Sequence, residues 1–194
     1  MLPIFFPVPQ SKFSNALAVL VLVIPCLCFP QSVIHIADAS PPLWQVPSVA
    51  AVTFENLQGR RTTLGDYLKK GPVLLSFWAL WCEPCKAEMK ALDRLSKAYK
   101  DSSLTVLGLN IDSPRSLSKV KAYIAAQKFG FEVGLDPNSR VFEFFQGTSI
   151  PLSLIIAPDG RVVKTRMGYL PADEESLKED LSKILKEIRS RENE

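Results

Sequence analysis

The chain has 194 residues, 47% of them apolar and 22% charged, with a net charge of +3. That suits one globular domain with a sizeable core plus a short appendage. So slight an excess of charge names no acidic partner and gives no case for nucleic acid.

The appendage is residues 1–39, which hold one basic residue (Lys12), one acidic residue (Asp38) and a 14-residue apolar run from Ala16 to Phe29. A run of that length suits the core of an export signal better than a membrane span of about 20 residues. Ala37-Asp38-Ala39 offers a small-x-small cleavage pattern, so the segment reads as a signal peptide or, if retained, an N-terminal membrane anchor. The expected location is extracytoplasmic, in a periplasm-like compartment. Residues 40–48 are a Pro-rich lead-in (Pro41, Pro42, Pro47), and residues 49–190 form the expected domain.

Loss of the signal takes Cys26, Cys28 and His35 with it, leaving Cys82 and Cys85 as the only cysteines and no histidine. This excludes histidine-based catalysis, an axial-histidine haem and a cysteine-plus-histidine copper site. A structural zinc needs about four Cys or His ligands, and two cysteines cannot supply them. No cofactor is expected. One cysteine pair in an oxidising compartment is either a redox centre or a small staple.

Along the domain, 49–54 and 61–63 flank Asn56-Leu57-Gln58-Gly59 as a hairpin, and 64–70 reads as a short helix ended by Gly71-Pro72. Residues 73–79, Val-Leu-Leu-Ser-Phe-Trp-Ala, form a near-continuous apolar run, the pattern of a strand buried on both faces. A helix over 83–99 follows, then a strand at 104–111, a helix at 114–129, a strand at 131–135 and a helix at 138–145. Residues 152–157 and 161–167, joined by Pro158-Asp159-Gly160, close as a hairpin. A last helix over 173–189 places Leu177, Leu181, Ile184, Leu185 and Ile188 on one face. Strands alternating with helices imply an α/β class with a parallel component to the sheet.

The cysteines stand where the first buried strand hands over to its helix, as reactive groups do in open α/β sheets. Disulfide exchange needs one thiolate to attack and a second thiol to resolve the mixed disulfide, and Cys-x-x-Cys at a helix start supplies both. Cys82 falls in the first turn, where unpaired N–H groups and the helix dipole favour its thiolate. Pro84 sits where a missing N–H costs nothing. Glu83 places a negative charge beside the thiolate, which argues for a moderate thiol acidity and a reducing centre.

Cys85, Glu88, Leu92, Leu95 and Tyr99 follow spacings of 3, 4, 3 and 4, so they share the apolar face of the helix. A half-buried Glu88 near Cys85 would have its proton affinity raised and could take and return the Cys85 proton. The plainer reading is a surface glutamate paired with a lysine. Trp78 reads as core, whereas Trp81 shields the disulfide and offers a flat apolar contact to a partner.

The string Phe77-Trp78-Ala79-Leu80-Trp81-Cys82-Glu83-Pro84-Cys85, with Gly59 and Leu64 before it and Gly108-Leu109-Asn110-Ile111-Asp112 after it, resembles the TlpA/ResA branch of the thioredoxin superfamily over roughly 48–188. The resemblance implies a thioredoxin-like fold: a central mixed sheet flanked by helices, with an N-terminal hairpin and a helix-containing insertion. It implies a catalytic role for Glu88 and a cis-proline at Pro151, facing the cysteines within Gly147-Thr148-Ser149-Ile150-Pro151-Leu152. From the residues alone, Pro151 is an ordinary strand-edge proline. With the resemblance, the Ile150 backbone becomes an edge for pairing with an extended substrate. Trp81, Glu83, Pro84 and Ile150 are then the expected substrate contacts. Ser76 stands where thioredoxin carries a buried aspartate.

The reading that follows is an exported, monomeric thiol–disulfide reductase, acting on a disulfide-containing protein and re-reduced by a membrane thiol donor. Apocytochrome c is the substrate class the family suggests. A rival is a Cu(I) carrier using both thiolates with Met89 or Met167, since soft sulfur ligands suit Cu(I). A disulfide-forming oxidase or a thiol peroxidase are lesser alternatives, the latter lacking the Thr-x-x-Cys setting of a peroxidatic cysteine.

Overall fold

A computed structural model describes residues 48–192. The export segment, His35, Cys26, Cys28 and residues 40–47 of the lead-in lie outside the described residues. A seven-stranded sheet runs in the order β2-β1-β5-β4-β3-β6-β7. Its middle strands β3 (Val73–Trp78), β4 (Thr105–Asn110) and β5 (Glu132–Leu135) are parallel. The hairpin β1 (Thr53–Asn56) and β2 (Arg61–Thr63) adds antiparallel to β5, and the hairpin β6 (Leu152–Ile156) and β7 (Val162–Met167) adds antiparallel to β3.

All six residues of β3 are buried, as the unbroken apolar run requires of a central strand covered on both faces. Alternation then divides the core. One face gathers Leu74, Trp78, Val106 and Ile155 under the helices α2 (Glu83–Ala98), α3 (Leu117–Gln127) and α5 (Asp173–Glu192). The other gathers Val73, Leu75, Phe77, Leu107, Leu109 and Leu154 against α1 (Leu64–Leu68) and α4 (Arg140–Phe144). Truncating one fully buried leucine of these layers costs about 2–5 kcal/mol, because the lost contact leaves a cavity in a close-packed interior.

Several ends differ from the sequence expectation, each for a local reason. Residues 49–51 form a 3-10 turn in place of the first half of a strand. The turn lies across α1, so near that a Cβ at Gly65 would meet the Ala50 carbonyl oxygen at 2.8 Å. The helix expected over 114–129 begins as a 3-10 turn at Pro114–Ser116 and stops at Gln127, where Lys128 adopts a left-handed φ of 53° and closes the C-terminus. The helix expected from 138 starts at Arg140, since Ser139 is left-handed and Asp136 Oδ2 accepts from the Phe142 N–H at 2.9 Å. In α5 the apolar face is buried only at Leu177 and Leu181; Ile184, Leu185 and Ile188 are half-exposed.

Candidate active site

The chain leaves β3 at Trp78 and turns through Ala79, Leu80 and Trp81 into α2. Asp112, just past β4 and 7% exposed, holds this turn: its Oδ2 accepts from the Leu80 N–H at 2.7 Å and from the Asn110 side-chain amide at 2.7 Å. The Cys82 N–H donates to the Ala79 carbonyl at 3.2 Å. Cys82 is the N-cap of α2, with Pro84 in the first turn. Its Sγ accepts from the Cys85 N–H at 3.2 Å, so one of the orphan donors of the helix start is spent on this sulfur.

Cys82 and Cys85 are joined as a disulfide, Cys82 5% exposed and Cys85 fully buried. Glu83 is exposed and ion-paired with Lys86 one turn on, which offsets its charge locally. Trp81 is 70% exposed beside the disulfide, whereas Trp78 is fully buried against Tyr123. The Ile150–Pro151 peptide bond is cis, and the Ile150 carbonyl oxygen lies 3.9 Å from Cys82 Sγ. Pro151 is buried, and its carbonyl accepts from the Gly168 N–H at 2.8 Å, binding the loop to the end of β7.

Glu88 is more deeply placed than the half-buried position expected from its helix face: it is 2% exposed. Its partners are two serine hydroxyls and no lysine. Ser76 Oγ donates to Oε2 at 2.7 Å and Ser153 Oγ donates to Oε1 at 2.7 Å. The two serines are register partners on β3 and β6, so one cross-strand pair meets both carboxylate oxygens. Burial pushes the Glu88 carboxyl above the usual carboxylate range; the two hydroxyls and the Arg166 charge pull the other way.

The sequence reading missed Ser153, Asp112 and Arg166. Ser153 had a legible signal, a lone polar residue in the apolar strand Leu152-Ser153-Leu154-Ile155-Ile156, as Ser76 is in β3. Asp112 stood in the string that carries the family resemblance but with no role to read from it, and Arg166 had no signal, because each acts on a residue far away in sequence. Of the sulfurs considered for Cu(I), Met89 is fully buried against Gly108, whereas Met167 is 64% exposed and accepts from the Thr148 and Ser149 hydroxyls. Among the described residues no group of three or more His, Cys, Asp or Glu is gathered that could hold a metal.

The AhpC/TSA family model matches residues 45–165. The thiol-disulfide oxidoreductase ResA of Bacillus subtilis strain 168 is 31% identical over 134 residues, 68% of this chain and 70% of that protein. Among solved structures, a protein from Chlorobium tepidum assigned as thiol:disulfide interchange protein DsbE is 25% identical with a TM-score of 0.65, over 71% of this chain and 95% of that one. The exposed lipoprotein thioredoxin of Streptococcus pneumoniae strain TIGR4 is 25% identical with a TM-score of 0.59, over 69% and 99%. The family model spans the strand, the turn and the helix that carry the disulfide, and the two solved structures match the fold over about 70% of this chain. The chain therefore belongs to the AhpC/TSA family, and is a thioredoxin-like thiol–disulfide oxidoreductase of the ResA kind.

Proposed function

We propose that the protein is an exported reductase of protein disulfides, with Cys82 as the attacking and Cys85 as the resolving thiol. The Cys82 thiolate attacks one sulfur of a substrate disulfide, forming a mixed disulfide and releasing the other substrate sulfur as a thiolate. Cys85 then loses its proton to the Glu88 carboxylate and attacks Cys82 Sγ. The second substrate thiol leaves, the enzyme is left as the Cys82–Cys85 disulfide, and two electrons have passed to the substrate. A membrane thiol donor restores the dithiol.

The observation that carries this reading is Glu88: a carboxylate 2% exposed, three residues along the helix from a fully buried Cys85. A buried thiol cannot pass its proton to water directly, and a neighbouring carboxyl with raised proton affinity is suited to receive it. Trp81 and the Ile150 edge beside Cys82 suit an extended, apolar-flanked protein segment as substrate. The pair of cysteines in apocytochrome c is the substrate class to which the TlpA/ResA resemblance points. Export is supported by the apolar run of residues 16–29 and by the exposed lipoprotein among the relatives. No helix among the described residues is long and apolar enough to cross a membrane.

The surroundings of Cys82 support the reducing direction. A strong oxidant draws its potential from a strongly stabilised thiolate, and Cys82 has the helix start for this, while the adjacent Glu83, its charge offset by Lys86, adds nothing to it. The reduction potential of the Cys82–Cys85 couple tests it. A value near that of thioredoxin, about −270 mV, supports a reductase, and one near that of DsbA, about −120 mV, overturns it.

A further inference from the structure

One row of residues crosses the sheet beneath the active site: Ser76 on β3 pairs in register with Ser153 on β6, which pairs in register with Arg166 on β7. Directly paired residues of antiparallel strands point to the same face. The two serines meet Glu88 from α2, and Arg166 extends the row on that face toward α5. There its Nη1 donates to Asp180 Oδ2 at 2.8 Å and to Ser176 Oγ at 3.2 Å. The Arg166 side chain is about one-fifth exposed, so its field is only partly screened by water. Lys164, two residues before Arg166 on β7, also reaches Asp180, at 3.2 Å.

We infer that Arg166, fixed by Asp180 and Ser176 of α5, is a positioning residue that sets the proton affinity of Glu88 across the Ser76–Ser153 row. This rests on the reading of Glu88 as the proton acceptor for Cys85, and adds the group that adjusts it. Burial alone raises the proton affinity of Glu88 and works against its carboxylate form. The hydroxyls of Ser76 and Ser153 favour the anion, and a permanent cation at the end of their row favours it further. Asp180 neutralises part of that cation, so Glu88 is left between the two extremes. The step served involves proton transfer alone: the Cys85 S–H bond breaks, an O–H bond forms on Glu88, and the thiolate keeps the electron pair.

The other groups facing Glu88 are few. Its own helix offers Cys85, and β3 and β6 offer the neutral serines. The connection after β7 offers Tyr169, 8% exposed, whose phenol is held protonated by burial and by neighbouring acids that include Glu88. Glu174 at the start of α5 is engaged by Arg94. Arg166 is thus the cation on this face that bears on Glu88.

The test is direct titration of the Glu88 carboxyl in the oxidised protein by carbon-13 NMR, its resonance assigned by its loss in Glu88→Gln. Arg166→Gln is expected to raise the midpoint by about half a pH unit or more, as removal of a nearby opposite charge does. Arg166→Lys, which keeps the charge, is expected to return the midpoint most of the way. An unmoved midpoint in Arg166→Gln, or a Lys variant displaced as far as the Gln variant, overturns the inference. Should Arg166→Gln not fold, Asp180→Asn decides. With Ser176 still holding the guanidinium and the neutralising charge gone, the midpoint is expected to fall, and an unchanged or raised value counts against Arg166. The role of Glu88 is read separately from the pH profile of disulfide exchange in Glu88→Gln. A flattened profile with an unmoved Arg166→Gln titration defeats this inference alone, whereas an unchanged profile defeats the reading beneath it.

Discussion

Glu88 is a carboxyl group placed where a carboxylate is costly, and two serines make the place tolerable without making it comfortable. If it accepts the Cys85 proton, then Glu88→Gln, which keeps the shape and the capacity to pair with hydroxyls, should flatten the pH dependence of exchange near neutrality. Stopped-flow exchange rates between pH 5 and 9 measure this. The same burial has a signature in stability. A carboxyl whose proton affinity is raised by folding binds its proton more tightly in the native than in the unfolded chain. Its contribution is therefore fully present below the unfolded value of 4.5 and is lost as pH rises through the folded value. Glu88→Gln has no such loss. Its urea stability relative to the parent, with the disulfide intact, should rise from pH 4.5 to pH 8, and a constant difference would show that Glu88 titrates alike in both states.

At the level of single elements, the segments with a strong pattern were legible and their ends were not. The buried strand β3 announces itself by an apolar run, and α2 by its cysteine cap, Pro84 and the face that carries Glu88. The end of α3 did not, because Lys128 adopts a left-handed conformation that a glycine would have signalled and a lysine conceals. That conformation costs an ordinary residue about 1–2 kcal/mol. Lys128→Gly should accordingly stabilise the fold by about 1 kcal/mol, less the entropy that glycine gains when unfolded; thermal or urea unfolding measures it. The turn into α2 was hidden for another reason. Asp112 reaches Leu80 across 32 residues, so no local spacing shows that it fixes the approach to Cys82. Asp112→Ala strands the Leu80 N–H and should lower the exchange rate more than it lowers stability, which parallel kinetics and unfolding of the one variant distinguish.

For the described domain, the class and the order of elements follow from alternation and apolar runs, but the depth at which each helix docks does not. The apolar stripe predicted along α5 runs from Leu177 to Ile188, whereas only its first half is buried. The reason lies in what receives it. Arg94 of α2 grips Glu174, and Lys164 and Arg166 of β7 grip Asp180, so the helix is fastened to the sheet through its first two turns. Beyond them Ile184 still packs against the core, but it, Leu185 and Ile188 are only partly buried. Leu181→Ala removes a fully buried side chain at the fastened end and should cost about 2–5 kcal/mol. Ile188→Ala, where the side chain is only partly buried beside the β6–β7 turn, should cost less, since less apolar area returns to water. Urea unfolding of the two variants compares them directly. Equal costs would mean that α5 is held along its whole length, and that its grip on Arg166 does not depend on the first turns alone.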